Sequence, residues 1–238
     1  MSFSEILAAA AHEYGIALGE AELNAFSTYN DLLLTWNEKI NLTTIVEPGE
    51  VAVKHIIDSL SCYDAELFPI GCRVVDVGTG AGFPGLPLKI IRPDIELTLL
   101  DSLNKRLLFL QEVVDALQLQ GVSFLHARAE DAGRSKDQRD GYHVALSRAV
   151  ARLNVLCELC LPLVRSGGCF IALKGAQFKD EMEEAHRALK VIGGQIASVR
   201  TVKLPGIVDQ RAVIYIRKTT STPAAYPRRA GLPEKKPL

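Results

Sequence analysis

The sequence predicts an α/β fold built on a seven-stranded, mostly parallel, doubly wound sheet with an antiparallel edge strand, preceded by a helical N-terminal extension. Three observations carry this. Short apolar or β-branched runs alternate with helical patterns from Gly71 onward, a glycine-rich turn follows the first of those runs, and an acidic residue closes the second.

Residues 4 to 65 carry the helical extension. An alanine-rich opening leads to Glu20–Trp36, where Leu23, Phe26, Tyr29, Leu33 and Trp36 recur at spacings of three and four, and a third helix spans Val51–Leu60. Asn41-Leu-Thr-Thr interrupts the pattern, and Pro48-Gly49 marks the turn before the third helix. Strands are expected at Arg73–Val77, Glu96–Leu100, Val122–His126, Val144–Ser147 and Cys169–Leu173, with helices between them at about 84–92, 104–118, 130–135 and 151–164. A charged helix, Lys179–Val191, precedes the last two strands, Ile196–Lys203 and Ala212–Ile216. Only a loop with Pro205-Gly206 separates those two, so they can pair antiparallel. The expected organisation is an N-terminal extension over 1–70, a sheet domain over 71–218 and a basic, proline-containing tail over 219–238, extended and without a core of its own.

The charge balance narrows the partners. There are 27 basic and 28 acidic residues, but seven of the basic ones lie between Arg211 and the end, with only Glu234 against them. A local basic patch permits a nucleic-acid partner that the overall composition does not demand. The five cysteines are an odd set scattered through apolar stretches and are expected as reduced thiols of a cytoplasmic protein. Cys157-Glu-Leu-Cys160 lies within a helical pattern and is expected to pack in the core. No metal site is expected, because His12, His55, His126, His143 and His186 do not stand at ligand spacing with the cysteines. No signal segment is visible, and no apolar run approaches the roughly 18 residues of a membrane span.

The richest constellation is Val74-Val-Asp-Val-Gly-Thr-Gly-Ala-Gly-Phe-Pro-Gly85. Gly78, Gly80 and Gly82 allow a tight turn and the close approach of a ligand after the first strand. Asp101 closes the second strand, 19 residues after Gly82, where a carboxylate can accept hydrogen bonds from ribose hydroxyls. Asp76 ahead of alternating glycines favours S-adenosylmethionine over a dinucleotide, because an acid there can engage the methionine ammonium directly or through water. Phe83 lines the cleft or packs the helix start, and the backbone around Ala129 and Glu130, after the third strand, can read the adenine edge. Arg148 ends the fourth strand and Lys174 the fifth, at the sheet edge where ligands bind. Both are expected as positioning groups, with Lys174 facing substrate phosphate or base. No general base stands out. Methylation of an acceptor atom that already carries a lone pair would need only alignment.

These residues fall in segments that together resemble one family over essentially the whole chain. The segments are Trp36-Asn-Glu-Lys-Ile-Asn-Leu-Thr43, Lys54-His-Ile-Ile-Asp-Ser-Leu60, Asp76–Gly85, Leu100–Leu110, Arg128-Ala-Glu130, Ser147–Leu153, Ala172-Leu-Lys-Gly175 and Tyr226–Leu238. The sequence resembles the RsmG, or glucose-inhibited division protein B, family of guanine-N7 methyltransferases of bacterial small-subunit ribosomal RNA. The resemblance implies a Rossmann-like class I methyltransferase. It would use S-adenosylmethionine to methylate a guanine of the 530 loop of 16S rRNA, guanosine 527 in the usual bacterial numbering. It also implies cofactor contacts at Gly78, Phe83, Ala129, Glu130 and Arg148. RNA-contact candidates are Lys54, His55, Lys174, Arg228, Arg229, Lys235 and Lys236. The expected partner is 16S rRNA presented in a small-subunit particle, and the expected state a cytoplasmic monomer with no membrane partner. The alternatives are a methyltransferase for another structured RNA, a nicotinamide-dependent oxidoreductase, and an inactive scaffold. One departure is visible: relatives often begin the fourth strand Tyr-Asp or Phe-Asp, where this chain has Tyr142-His143.

Overall fold

A computed structural model describes residues 1–238. Its elements run α1 (Phe3–Tyr14), α2 (Glu20–Asn37), α3 (Pro48–Glu50), a π-helix (Val51–Ile57), α4 (Asp58–Leu60), β1 (Arg73–Val77), α5 (Gly85–Ile91), β2 (Glu96–Asp101), α6 (Asn104–Ala116) and β3 (Val122–His126). They continue with α7 (Ala129–Ala132), β4 (Tyr142–Arg148), α8 (Leu153–Cys160), a 3-10 turn (Leu161–Leu163), β5 (Val164–Lys174), α9 (Phe178–Ile192), β6 (Gly194–Val202), β7 (Arg211–Lys218) and α10 (Leu232–Lys235). Local chemistry sets several of the boundaries. Ser2 and Glu5 form a reciprocal capping box at the start of α1, and Gly15 ends it in the left-handed region.

One seven-stranded sheet has the order β3-β2-β1-β4-β5-β7-β6. The first five strands are parallel, and β7 pairs antiparallel with both β5 and β6. The last two strands therefore pair as expected. The strand that reverses direction, β7, sits one place inside the edge, and β6 forms the edge itself. Chain order turns back between β1 and β4, and ligands of such sheets bind outside that switch point.

Alternation along the strands divides the core. Val74, Leu97, Leu99, Val144, Leu146 and Ile171 face one side, where Leu7, Phe26, Tyr29, Leu33, Leu86 and Phe109 of the helices cover them. Val75, Val77, Leu100, Ala145, Phe170 and Ala172 face the other, under Leu156, Cys160, Ala185 and Leu189 of α8 and α9. The N-terminal helices thus complete one face of the sheet. All five cysteines are free and buried, and burial pushes the Cys157 thiol up to about 12.

The tail is not the coreless extension that its composition predicts. Thr222 and Pro233 are buried, the Thr222 hydroxyl donates to Ile192 O, and Arg139 donates to the carbonyls of Thr222 and Tyr226 at 2.7 and 2.8 Å. The Arg134 Nε–H donates to Pro227 O at 2.6 Å. Prolines and basic residues look solvated in sequence. Here arginines of the sheet domain satisfy the tail's carbonyls, and its apolar residues fill the surface beside α8.

Candidate active site

The glycine turn leaves β1 at Val77, and its first amides, Gly78 and Thr79 N–H, both donate to Leu100 O of β2. Asp76 is wholly buried, and its Oδ2 accepts from the Thr79 hydroxyl at 2.7 Å and from the Gly85 amide at 3.0 Å. Its carboxylate ties the start of the turn to the start of α5 and is not among the groups lining the cavity, where engagement of the methionine ammonium, directly or through water, is expected. Burial raises its pKa to about 6, and its Oδ1 is buried without a partner.

Asp101 sits across the turn. Its Oδ2 accepts from the Gly80 amide at 2.9 Å and its Oδ1 from Leu103 N at 2.9 Å, with Arg106 at 3.3 Å from Oδ2. Gly80 has φ +60°, and a Cβ there would come no nearer than 3.9 Å to any other residue and would enter the open space the turn encloses. Gly82, at φ +95°, faces inward: a Cβ would strike Leu86 and Leu110 at 2.8 Å, as well as the Tyr29 hydroxyl. That hydroxyl, from α2, donates to Ala81 O. The N-terminal helices therefore hold the loop from beneath. The periodicity of α2 placed Tyr29 in the core without revealing this contact.

The turn opens onto a cavity of about 480 Å³ lined by Gly78, Gly80, Phe83, Asp101, Ala129, Glu130 and Arg148 among others. It gathers the predicted cofactor residues except Asp76 and Gly82, which support the turn from behind. Beside it lies a second cavity of about 520 Å³ at the ends of β4 and β5, lined by Lys54, Asp58, Lys174, Glu181 and Arg211, and sharing His55, Arg148 and Ala149 with the first. Ala149 has φ +56°, an uncommon conformation for a residue with a Cβ, and it turns the chain sharply off β4 between the two spaces.

Arg148 is fixed at that junction. It donates to the Lys54 carbonyl at 2.9 Å, to Asp58 Oδ2 at 2.8 Å and to His55 Nδ1 at 3.2 Å, and its guanidinium lies 5.0 Å from the Phe83 ring centroid. The π-helix turns its Lys54 carbonyl and His55 toward that one guanidinium, with Asp58 just beyond, and such wide turns often occur at functional sites. His55 stacks on Phe83 at 4.5 Å between centroids, and its Nε2–H donates to the Thr43 hydroxyl at 2.8 Å. Burial, then the Arg148 charge, lowers the His55 pKa to about 3, so the ring is neutral with both nitrogens engaged. Asp58 also pairs with Arg211 at 3.2 Å, while Arg211 Nε is buried with no partner. Sequence reasoning missed Asp58 and Arg211 in this cluster; only the fold brings residues 58, 148 and 211 together.

The basic RNA candidates divide. Lys174 Nζ is buried, 2.6 Å from Glu181 Oε2 and donating to Ala151 O at 2.8 Å, so it locks β5 to α9 and to the segment leading into α8. Arg228 forks onto Glu158 at 2.6 and 2.9 Å, and Glu158 is 1% exposed. Lys54 pairs with Glu50. Arg229, Lys235 and Lys236 are exposed. His143, the departure from the relatives' aspartate, accepts the Arg73 amide on Nδ1 at 3.0 Å, a role that a carboxylate oxygen also fills.

The residues fit S-adenosylmethionine. The Asp101 carboxylate, able to accept from ribose hydroxyls, borders the cavity, the turn leaves backbone-lined space at Gly80, and the lining mixes the acids Asp101, Glu130 and Glu234 with Arg106, Arg128 and Arg148, matching a ligand that carries both a carboxylate and cationic groups. Among solved structures, TYW2 of P. horikoshii in complex with MeSAdo shares the fold, with a TM-score of 0.55 at 15% identity over 68% of this chain and 62% of that one. The glycine turn at the switch point and the acid ending β2 define an S-adenosylmethionine-dependent methyltransferase of the Rossmann-like class. The chain belongs to the rRNA small subunit methyltransferase G (GidB) family, whose model matches residues 22–213. A relative named ribosomal RNA small subunit methyltransferase G in Desulforamulus reducens is 49% identical over 96% of this chain and 95% of its own. Its namesake in Alkaliphilus oremlandii is 48% identical over the full length of both.

Proposed function

We propose that this protein transfers a methyl group from S-adenosylmethionine to N7 of the 530-loop guanine of 16S rRNA, acting as a cytoplasmic monomer on a small-subunit particle. The observation that carries the reading is the junction of two cavities at Arg148, His55 and Ala149: one of about 480 Å³ on the glycine turn, and an adjoining one of about 520 Å³ at the ends of β4 and β5 that would take the incoming base. The cofactor, when bound, supplies an electrophilic methyl group on a sulfonium. Asp101 would receive its ribose hydroxyls, and the backbone at Ala129 and Glu130 would border its adenine. Phe83, held flat by His55 and Tyr29, gives the cleft an apolar wall that excludes water.

Nothing in the site acts as a general base, and the chemistry at N7 calls for none. His55 is the nearest imidazole, and its nitrogens are taken by Arg148 and Thr43. Arg148, fixed from three sides, sets where the acceptor and donor meet, so the protein's contribution is alignment. Titration calorimetry with S-adenosylhomocysteine and NAD tests the cofactor class. Saturable binding of S-adenosylhomocysteine with no heat from NAD is expected, and the reverse pattern overturns the reading.

A further inference from the structure

The C-terminal segment reaches the first cavity. Gly231, Pro233 and Glu234 line it together with Asp101, Arg128, Ala129 and Glu130, the residues proposed above for the ribose and adenine. Pro233 is buried, and the Gly231 amide donates to Glu130 Oε1 at 2.7 Å. Gly231 sits at φ +76°, which lets the chain turn into α10 over that carboxylate. Upstream, Arg228 is forked onto buried Glu158 of α8, and its own amide donates to Glu158 Oε1 at 2.8 Å. A stretch that composition suggested as an RNA-binding arm is thus anchored at Arg228 and Gly231, with its next residues facing the cofactor space.

We propose that Gly231–Glu234 form a wall of the cofactor site at its purine end, so that the tail is a specificity and retention element for the nucleoside as well as a basic segment. This rests on the methyltransferase reading above. Pro233 offers an apolar surface next to the purine space, and the Gly231–Glu130 hydrogen bond fixes the backbone that borders the base. A wall contributed by a terminal segment couples two equilibria: whatever the docked tail adds to nucleoside affinity, the bound nucleoside adds to tail docking.

The test uses the full chain, a chain ending at Ala230 and full-length Pro233→Ala, each shown to be folded by circular dichroism. Calorimetry is run with S-adenosylhomocysteine and with 5′-methylthioadenosine, which keeps the nucleoside and lacks the amino-acid portion. The truncation should weaken both ligands by the same factor, about tenfold for loss of one apolar wall, and Pro233→Ala should weaken both by a smaller common factor. In the intact protein, S-adenosylhomocysteine should slow tryptic cleavage after exposed Arg229. Equal affinities in the truncated and full chains, or cleavage at the same rate with and without ligand, overturns the proposal. Failure of the full chain to bind S-adenosylhomocysteine instead overturns the methyltransferase reading, and binding that is lost in Asp101→Ala but kept in the truncation overturns only the tail wall.

Discussion

At the scale of single residues, Asp101 and Arg148 do different work. Asp101→Ala removes the carboxylate that orders the turn through the Gly80 amide and that is proposed to receive the ribose. It should weaken S-adenosylhomocysteine by about 1 to 3 kcal/mol, read by calorimetry; unchanged affinity in a folded variant rejects the ribose role. Arg148→Lys keeps a charge beside Asp58 but loses the fork that also reaches Lys54 O and His55. Its turnover should fall by about a hundredfold through misplacement, and full activity in single-turnover methylation contradicts the alignment role. His55 gives a pH signature. The folded ring stays neutral down to about pH 3, while the unfolded ring protonates below about 6.5, so stability is lost as pH falls through that window. Asp76 acts in the opposite sense, since its folded pKa of about 6 lies above the unfolded 3.8 and protonation across that range favours the fold. Comparing wild type with His55→Gln isolates the histidine. The difference in melting temperature should shift in the variant's favour between pH 7 and pH 4, and parallel curves would contradict a neutral buried ring.

Among the elements, β5, α8 and α9 meet through Lys174, which was expected to face substrate. With its ammonium on Glu181 and Ala151 O, Lys174→Ala strands a mostly buried carboxylate and should cost about 3 kcal/mol of stability. Urea unfolding checks this, and a variant with wild-type stability but impaired RNA binding would favour the substrate role instead. The contrast shows what a sequence can reveal. β1, α5 and β2 were legible because period-two runs, a glycine turn and a terminal acid are local signals, and Asp76, the turn from Gly78 to Phe83 and Asp101 sit in or between them. Lys174 and Arg228 were legible as strand-end and tail cations, but their partners lie on other elements: Glu181 on α9 and Glu158 on α8. Ion pairs closed by the fold leave no mark in local spacing. The same holds for Tyr29, whose helical period announces a core residue while its hydroxyl seats the cofactor turn. The π-helix was read only as helix, since one wide turn leaves the apolar period nearly intact.

At the scale of the whole molecule, acidic residues outnumber basic ones before Arg211, and the exposed cations of the tail, Arg229, Lys235 and Lys236, flank in sequence the tail residues that line the first cavity. Replacing these three with Gln should reduce the slope of log affinity against log salt for ribosomal RNA by about 2, near 0.7 to 0.9 per phosphate contact. Filter binding at several salt concentrations measures it, and an unchanged slope denies the tail an electrostatic role. The N-terminal helices hold the glycine turn through Tyr29 and Arg148 through the π-helix, so both cavities are braced by the core on that face of the sheet. The most direct test of what that arrangement does is methylation of purified small-subunit particles and of naked 16S rRNA with labelled S-adenosylmethionine, followed by mapping of the modified nucleotide. Label at N7 of the 530-loop guanine, transferred more efficiently to the particle, is the predicted result; label on another base, on protein or nowhere contradicts the account.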